Sequence, residues 1–353
     1  MNLNKFILSI IIFILILFFP ACKDNNTFIT EGGKPQIDGI INNPTFIGDT
    51  ITIFGNNFGD RDLASFVIFN DSTIIHSSKC LKWTISQIKF VVPNTSADSV
   101  FVIVKSDTSN KTKIIINRLP ELNTVEVLAG TFNMGSEFGA MDEQPVHSVQ
   151  ITHNLIVSRF EITQFYYYQV TGQNPSIIKD NRLPVDSVTW IQAIDFCNKL
   201  SQIQGLTPAY VISGDIAKWD TSANGWRLPT EAEWEYLCRA GETYDYSGSP
   251  DLNQDGWYNL NSGLHSYPPG LKLPNAFGLY DMHGNVWEWC WDFYGSNYYA
   301  QSPSINPVGP ANGIRHIARG GSYADGNSLA RASNRYFPDD GILRTGIRIV
   351  RNK

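Results

Sequence analysis

The stretch that most constrains this chain is residues 275–289, which read NAFGLYDMHGNVWEW. It is too rich in glycine for a helix and too irregular for a strand. Gly278 and Gly284 can adopt backbone angles closed to other residues, while the aromatic side chains supply the apolar area of a core. Asp281 and Glu288 lie inside this apolar run, where an ion without a partner is costly. The stretch therefore predicts a buried loop that needs partners for two carboxylates.

Two kinds of partner satisfy this requirement. A hard cation is one, and calcium suits the stretch because it takes six to eight oxygen ligands from a flexible cage. Hydrogen bonds from backbone N–H groups and arginine side chains are the other. Residue chemistry leaves both alternatives open for Asp281 and Glu288.

Further segments carry a resemblance to a known family. Residues 225–241 (GWRLPTEAEWEYLCRAG) and 318–335 (ARGGSYADGNSLARASNR), taken with 275–289, closely resemble the formylglycine-generating enzyme family, also called the sulfatase-modifying-factor family. Residues 130–136 and 345–351 fit the same pattern, and the resemblance covers roughly residues 121–351. It implies an α+β domain at residues 123–352, with a C-type-lectin-related fold whose abundant irregular structure is clamped by calcium ions and buried tryptophans.

The resemblance also implies metal ligands. It assigns a structural, non-catalytic calcium ion to the side chains of Asp281 and Glu288 and the carbonyl groups of Gly284 and Val286. A second calcium ion in some members matches Asn259 and Leu260, but its remaining ligands fall in a loop that is shorter in this chain.

The catalytic cysteines of the family have no counterpart here. Active members hold Cu(I) with two cysteines after an RGGS motif, because Cu(I) requires soft sulfur ligands. Here the motif is residues 319–322, the cysteine positions fall near Asp325 and Leu329, and no cysteine follows Cys290. We therefore expect neither copper nor formylglycine-generating activity.

The function expected instead is a non-catalytic binding or scaffold module that contacts a protein or glycan. Its ligand groove is predicted to be lined by Tyr323, Asp325, Asn327, Asn334 and Tyr336, which are adaptable contact residues. One alternative is an enzyme of altered chemistry acting on sulfatase-type cysteine substrates. A further alternative is a partner subunit that holds a sulfatase without modifying it.

The N-terminus predicts an envelope protein. Lys5 and the apolar run at residues 6–19 indicate a signal peptide at residues 1–21, too short to span a bilayer. Pro20-Ala21-Cys22 resembles a bacterial lipobox, so Cys22 is predicted to carry a lipid anchor and residues 22–34 to form a tether. The alternative is an ordinary cleaved signal peptide with a spare cysteine. The predicted location is the outer membrane or cell surface. The net charge of −6 argues against nucleic-acid binding.

Residues 35–117 predict an all-β domain. Apolar runs at 51–55, 65–70, 88–93 and 99–104 are separated by turn residues, which favours a small sandwich. Residues 48–60 (GDTITIFGNNFGD) resemble the TIG-type immunoglobulin-like domain, with Phe58 in its core. A spacer role is favoured over a binding role, and residues 118–122 are the expected linker.

The C-terminal domain contains three helix-start signals, at Thr163, Thr189 and Thr230, the last two with capping-box partners at Gln192 and Glu233. Cys197 and Cys238 are predicted to face the core, either free or paired with each other. The histidines are expected to be structural, with His147 and His153 hydrogen-bonded and His283 orienting the central loop. The carboxylate pairs Asp142/Glu143 and Asp339/Asp340 are expected to be solvated.

Overall fold

The chain forms an N-terminal β region followed by a mixed α+β region. A computed structural model describes residues 33–43, 45–46, 49–93, 95–117, 119–338 and 343–353. The predicted signal peptide, Cys22, most of the tether and the Asp339/Asp340 pair lie outside these residues.

The N-terminal region consists of antiparallel sheets and one short parallel pair. Its strands are β1 (Gln36–Ile41), β2 (Thr45–Phe46), β3 (Thr50–Asn56), β4 (Ser65–Phe69), β5 (Ile74–His76), β6 (Lys82–Trp83), β7 (Gln87–Val91), β8 (Ser99–Val104), β9 (Asp107–Thr108), β10 (Thr112–Lys113) and β11 (Ile116–Asn117). One sheet has the order β1-β3-β7-β6 and the other β10-β8-β4-β5, with β9 paired to β8. A 3-10 helix, Ser77–Lys79, connects β5 to β6, and β2 pairs with β11 in parallel.

The two sheets bury one shared core. Alternate residues of β3 and β7 point inward and meet those of β4 and β8, as the alternating sequence predicts. The rings of Phe69 and Phe90 meet edge to face at 6.1 Å across the sheets. Phe58 is fully buried, as predicted. The first strand is not among the predicted ones, and its pairing with β3 is interrupted by a bulge between Ile37 and Gly39.

Four α-helices follow in the described residues: α1 (Gln164–Thr171), α2 (Trp190–Ile203), α3 (Glu231–Arg239) and α4 (Leu252–Asp255). The Thr163 hydroxyl caps α1 by accepting from the Tyr166 N–H. Both predicted capping boxes are present, at Thr189 for α2 and at Thr230 for α3. Every residue of α3 is buried, so this helix lies inside the domain.

The remaining strands form small sheets around these helices. They are β12 (Thr124–Val127), β13 (Gly130–Met134), β14 (His147–Ile151), β15 (Leu155–Ser158), β16 (Tyr210–Ser213), β17 (Ile216–Trp219), β18 (Gly256–Trp257), β19 (His283–Gly284), β20 (Trp287–Phe293), β21 (His316–Arg319), β22 (Thr345–Gly346) and β23 (Val350–Asn352). They pair as β12-β15-β23, β13-β14, β16-β17, β18-β19 and β21-β20-β22. Short 3-10 helices occupy Met141–Glu143, Tyr299–Gln301 and Asn327–Ala330.

The central loop predicted from the sequence leads directly into β20. That strand is buried along most of its length and pairs with both β21 and β22. Its position joins the RGGS segment on β21 to the C-terminal segment on β22. Within the part of the chain that the structure describes, no helix is long and apolar enough to cross a membrane.

Candidate functional site

The loop before β20 has the backbone geometry that its glycines predict. Gly278 and Gly284 have φ of +75° and +84°, and Asp281 and Asn285 also lie in the left-handed region. The Gly284 N–H donates to the Gly320 carbonyl at 2.7 Å, and the Asn285 N–H donates to the Trp257 carbonyl at 2.8 Å. A side chain at position 284 would collide with the Trp257 backbone, so the loop requires glycine there.

Glu288 on β20 has an arginine partner. Its carboxylate accepts from Arg348 Nη2 at 2.7 Å and from Nε at 3.0 Å, and Trp234 Nε1 donates to its second oxygen at 2.6 Å. All three side chains are buried. The arginine alternative from the sequence therefore describes Glu288 in this structure.

Asp281 is only partly satisfied. Its Oδ2 accepts from the Gly270 N–H at 2.6 Å. Its Oδ1 is buried and has no hydrogen-bond partner. Burial raises the pKa of this carboxyl to about 6, because the charged form is poorly solvated there. A buried carboxylate oxygen without a donor is what a bound cation would satisfy.

Glu161 is a third buried carboxylate beside this pair, and the sequence analysis did not find it. Its oxygens accept from Asn285 Nδ2 at 2.6 Å and from the Val286 N–H at 3.0 Å. Burial, with the nearby charges of Asp281 and Glu288, raises its pKa well above the ordinary value. The guanidinium of Arg348 lies near all three carboxylates, and Lys272 adds a second positive charge near Asp281. The open Asp281 oxygen fits one further cation.

The donor set for such a cation is small. Among the residues described, no group of three or more His, Cys, Asp or Glu side chains is arranged to hold a metal ion. A cation at Asp281 would therefore depend on loop oxygens as well as carboxylates. Asn259 and Leu260 are exposed, and the Asn259 N–H donates to the Asp325 carbonyl at 3.0 Å.

Asp325, near the predicted position of the first copper-binding cysteine, is held by hydrogen bonds. Its Oδ2 accepts from Trp287 Nε1 at 2.8 Å and from the N–H and hydroxyl of Ser322. Arg344 Nη1 lies 3.9 Å from its Oδ1. This carboxylate is therefore a fixed part of the surface.

The remaining predicted groove residues differ in exposure. Tyr336 is 38% exposed and stacks on the ring of Trp287 with centroids 4.5 Å apart. Tyr323 is half-buried and Asn327 is exposed. The Asn334 side chain is buried, and its Oδ1 has no hydrogen-bond partner. The exposed surface is thus built from Tyr336, Tyr323 and Asn327 around the fixed Asp325.

Of the pair Asp142/Glu143, which was predicted to be solvated, Glu143 is not solvated. Glu143 is fully buried and forms a two-bond ion pair with Arg331, at 2.6 and 2.9 Å. Asp142 accepts from the Tyr294 hydroxyl at 3.0 Å. The expectation of solvated charges is wrong for Glu143, because an arginine almost two hundred positions away compensates its burial.

The cysteines are free and buried at positions 80, 197, 238 and 290. The hypothesis of a Cys197–Cys238 bridge is therefore wrong for this structure, in which the two thiols belong to different core clusters. Burial raises the pKa of the Cys238 thiol to about 12 and that of Cys290 well above its usual value. Neither thiol is ionised at neutral pH.

The histidines have structural partners. His147 Nδ1 lies 2.9 Å from the Pro145 carbonyl, and His153 Nε2 lies 2.9 Å from Glu233. Since each has its own partner, they do not form a common site. His283 contacts the Ala330 carbonyl through Nδ1 and accepts from the Ser247 N–H through Nε2, and burial lowers its pKa to about 4.

Comparison with known proteins decides the family. The model of the sulfatase-modifying factor enzyme 1-like domain matches residues 115–353. The chain belongs to this family.

The relatives of this sulfatase-modifying-factor protein include one named as a chaperone and one named as an enzyme. Chaperone protein LppX of Paenibacillus barcinonensis is 33% identical over 239 residues, which cover 56% of this chain and 80% of that relative. The formylglycine-generating enzyme of Streptomyces coelicolor is 37% identical over 146 residues, which cover 35% of this chain and 46% of the enzyme. The matched part thus spans less than half of that enzyme.

A solved structure with a similar fold is Treponema denticola variable protein 1. It is 30% identical, and the alignment covers 65% of this chain and 95% of that one with a TM-score of 0.61. The likeness places the α+β region of this sulfatase-modifying-factor protein within the same fold.

The sequence analysis did not assign three residues to the site. They are Glu161, Arg348 and Trp287, whose ring stacks on that of Tyr336. Arg348 lies in the TGIRIVR segment that carried part of the family resemblance, so it was visible as a motif residue. Its pairing with Glu288 was not, because the two residues are 60 positions apart. Nothing in the local pattern around Glu161 indicated burial.

Proposed function

We propose that this protein is a lipid-anchored envelope protein whose sulfatase-modifying-factor domain binds a ligand without catalysing a reaction. The observation that carries the proposal is that no cysteine follows Cys290, so the predicted copper-cysteine positions, near Asp325 and around Leu329, hold no thiol. Asp325 is held by Trp287 and Ser322. The oxidase reaction needs paired thiolates at these positions, and a carboxylate and an alkyl side chain supply neither.

The remaining thiols do not compensate for this absence. Cys197, Cys238 and Cys290 are fully buried, and burial raises the pKa of each thiol above its usual value. A cysteine binds Cu(I) as the thiolate, so its thiol must be able to ionise and be reachable. An oxidase acting on sulfatase-type cysteine substrates is therefore the weaker alternative.

The ligand-binding surface is the groove around Tyr336. The Tyr336 ring is backed by Trp287, which holds an exposed aromatic face in a fixed orientation. Rigid aromatic residues of this kind bind with little loss of side-chain entropy. Arg344 and Asp325 add a polar pair at its edge. A protein ligand is favoured over a glycan because a relative is named a chaperone.

Calcium is proposed as a structural ion at Asp281. The unpartnered Oδ1 of Asp281 and the grouping of three buried carboxylates around it support the proposal. Carbonyl groups of Gly284 and Val286 are the expected additional ligands, and Glu288 would take part only while remaining bonded to Arg348. Copper is not expected, and the Asn259/Leu260 site is expected to stay incomplete.

The remaining assignments follow the sequence. Residues 1–21 would be the signal peptide, Cys22 the lipidated residue and 22–34 the tether, which places the protein in the envelope of a bacterium. The β region at 35–117 would be a TIG-type immunoglobulin-like spacer, joined by residues 118–122 to a C-type-lectin-related domain at 123–352.

Two measurements test the proposal. The first supplies the protein with Cu(I), oxygen, a reductant and a sulfatase-type Cys-x-Pro-x-Arg peptide, followed by mass spectrometry. We expect no aldehyde, and its formation would overturn the non-catalytic assignment. The second places a photo-crosslinking amino acid at position 336 in cells, with position 168 as the control because Tyr168 is also exposed. A protein adduct specific to position 336 supports the groove, whereas equal labelling at both positions refutes it.

A further inference from the structure

One end of the N-terminal sandwich carries an unusual concentration of exposed apolar side chains. Leu63, Ile85 and Leu81 are 87%, 63% and 60% exposed. Their exposed fractions exceed those of every other large apolar residue in the described part of that sandwich, where Ile41 is next at 52%. Large exposed apolar side chains grouped in one place mark an interaction surface.

Hydrogen bonds tie the loops that carry these side chains together. The Phe58 N–H donates to the Ile85 carbonyl at 3.0 Å, and Trp83 Nε1 donates to the Phe58 carbonyl at 3.0 Å. Arg61 Nη2 donates to the Cys80 carbonyl at 2.6 Å. The apolar side chains therefore project from a fixed framework.

The N-terminal segment enters at the same end. Gln36 of β1 pairs with Asn56 at the end of β3, and Asn57 Nδ2 donates to the Lys34 carbonyl at 3.2 Å. Only ten residues lie between Cys22 and Gly33, where the described chain begins, so the two are eleven residue steps apart. Such a segment spans at most about 40 Å when fully extended. A lipid on Cys22 would therefore keep this end close to the bilayer.

The charge of this end is opposite to that of the whole chain. Its loops, turns and the short strand β6 (residues 33–34, 57–64, 77–86 and 105–106) carry five basic and two acidic residues, whereas the chain as a whole has a net charge of −6. The turn at 105–106 belongs to this end because Val104 pairs with Ser65, directly after the loop of Leu63. Asp38 of β1 and Asp107 of β9 lie on the adjoining strands, and with them the net charge of this end is +1. Basic residues near a membrane surface are attracted to anionic lipids.

We propose that this end of the sandwich, with Leu63, Leu81 and Ile85 at its tip, lies in the interface of an anionic lipid bilayer. It would insert its apolar tips among the headgroups and hold the sandwich at the membrane. The inference builds on the proposed lipid anchor at Cys22, which brings the surface and the bilayer together. It does not depend on the ligand groove.

The test uses the full lipidated protein in vesicles of phosphatidylethanolamine and phosphatidylglycerol. Single cysteines at positions 63, 81 and 85 carry an environment-sensitive fluorophore, and Ile41→Cys and Val91→Cys serve as controls. Both controls are exposed and lie at the opposite strand ends. We expect a blue shift and slower reduction by aqueous dithionite at 63, 81 and 85 only. Equal behaviour of all five positions overturns the inference, as does shielding that persists without vesicles, which would indicate a second protein copy.

A second arm separates this contact from the anchor. The polypeptide from Lys23 onward, which retains every described residue, is mixed with the same vesicles. The double change Leu63→Ser and Ile85→Ser should lower its partition at least about tenfold, equivalent to about 1.4 kcal/mol, relative to Ile41→Ser with Val91→Ser. Neutral vesicles should also bind it less. Equal partition of the two double variants overturns the inference even when the anchor is present, whereas an unlipidated Cys22 with selective partition refutes only the anchor.

Discussion

Replacing Asp281 by asparagine should change stability in opposite directions with and without calcium. In a chelator, the wild-type protein holds a buried carboxylate oxygen that has no donor. An unsatisfied buried polar group costs about 1–3 kcal/mol. The neutral asparagine removes the charge, so Asp281→Asn should match or exceed the wild type in chelator.

Calcium should reverse this order. At a calcium concentration about 100 times the dissociation constant, binding stabilises the native state by about 2.7 kcal/mol. For a domain of the matched length, 239 residues, that corresponds to a rise in melting temperature of roughly 5–11 °C. Asp281→Asn should lose this rise.

Glu288→Gln should behave differently, because Glu288 is bonded to Arg348. Removing its charge breaks the buried ion pair with Arg348, which costs about 3–5 kcal/mol with or without calcium. Differential scanning calorimetry in chelator and in calcium measures all of these differences. Asp195→Asn, which breaks a surface pair with Lys199, is the matched control and should change little. A wild-type melting temperature that does not change with calcium would refute calcium binding. A calcium response retained by Asp281→Asn would refute Asp281 as a ligand of the ion.

Three other predictions concern stability. Burial lowers the pKa of His316 to about 4. Since the unfolded state therefore binds more protons between pH 6.5 and 4, the loss of unfolding free energy from pH 7 to pH 5 should be about 2 kcal/mol smaller in His316→Gln than in the wild type. Burial raises the pKa of Asp255 to about 7. Ionisation of this carboxyl therefore lowers the unfolding free energy of the protein as pH rises from about 4 to 7. Asp255→Asn should gain about 2 kcal/mol at pH 8, allowing for solvent screening, and nothing at pH 3.5 in urea titrations. Thr230→Ala removes the capping hydroxyl of α3 and should cost about 1–2 kcal/mol by the same titration; an unchanged midpoint would show the cap to be dispensable.

Local patterns predicted local structure well, and the sequence-distant part of the site poorly. Thr189 with Gln192, and Thr230 with Glu233, indicated helix starts because the capping bonds join residues three positions apart. Strand β1 was missed because a bulge interrupts its alternation. The burial of Glu143 depends on Arg331, 188 positions away, which no local pattern contains. Glu161 was missed for the same reason.

The RGGS motif is present although no cysteine follows Cys290, and the contacts of Arg319 explain why both can be true. This first residue of the RGGS motif is fully buried, donates to Glu235 at 2.6 Å and to the Ala332 carbonyl at 2.8 Å, and so holds the loop that follows it. Losing one partner of such a pair costs about 3–5 kcal/mol, so replacement of Arg319 would strongly destabilise the domain. Position 325 is not part of a buried ion pair of this kind, because Asp325 lies at the surface and accepts hydrogen bonds from Trp287 and Ser322. Arg319 is therefore a family motif residue that builds the fold, and its presence does not by itself imply the family's reaction.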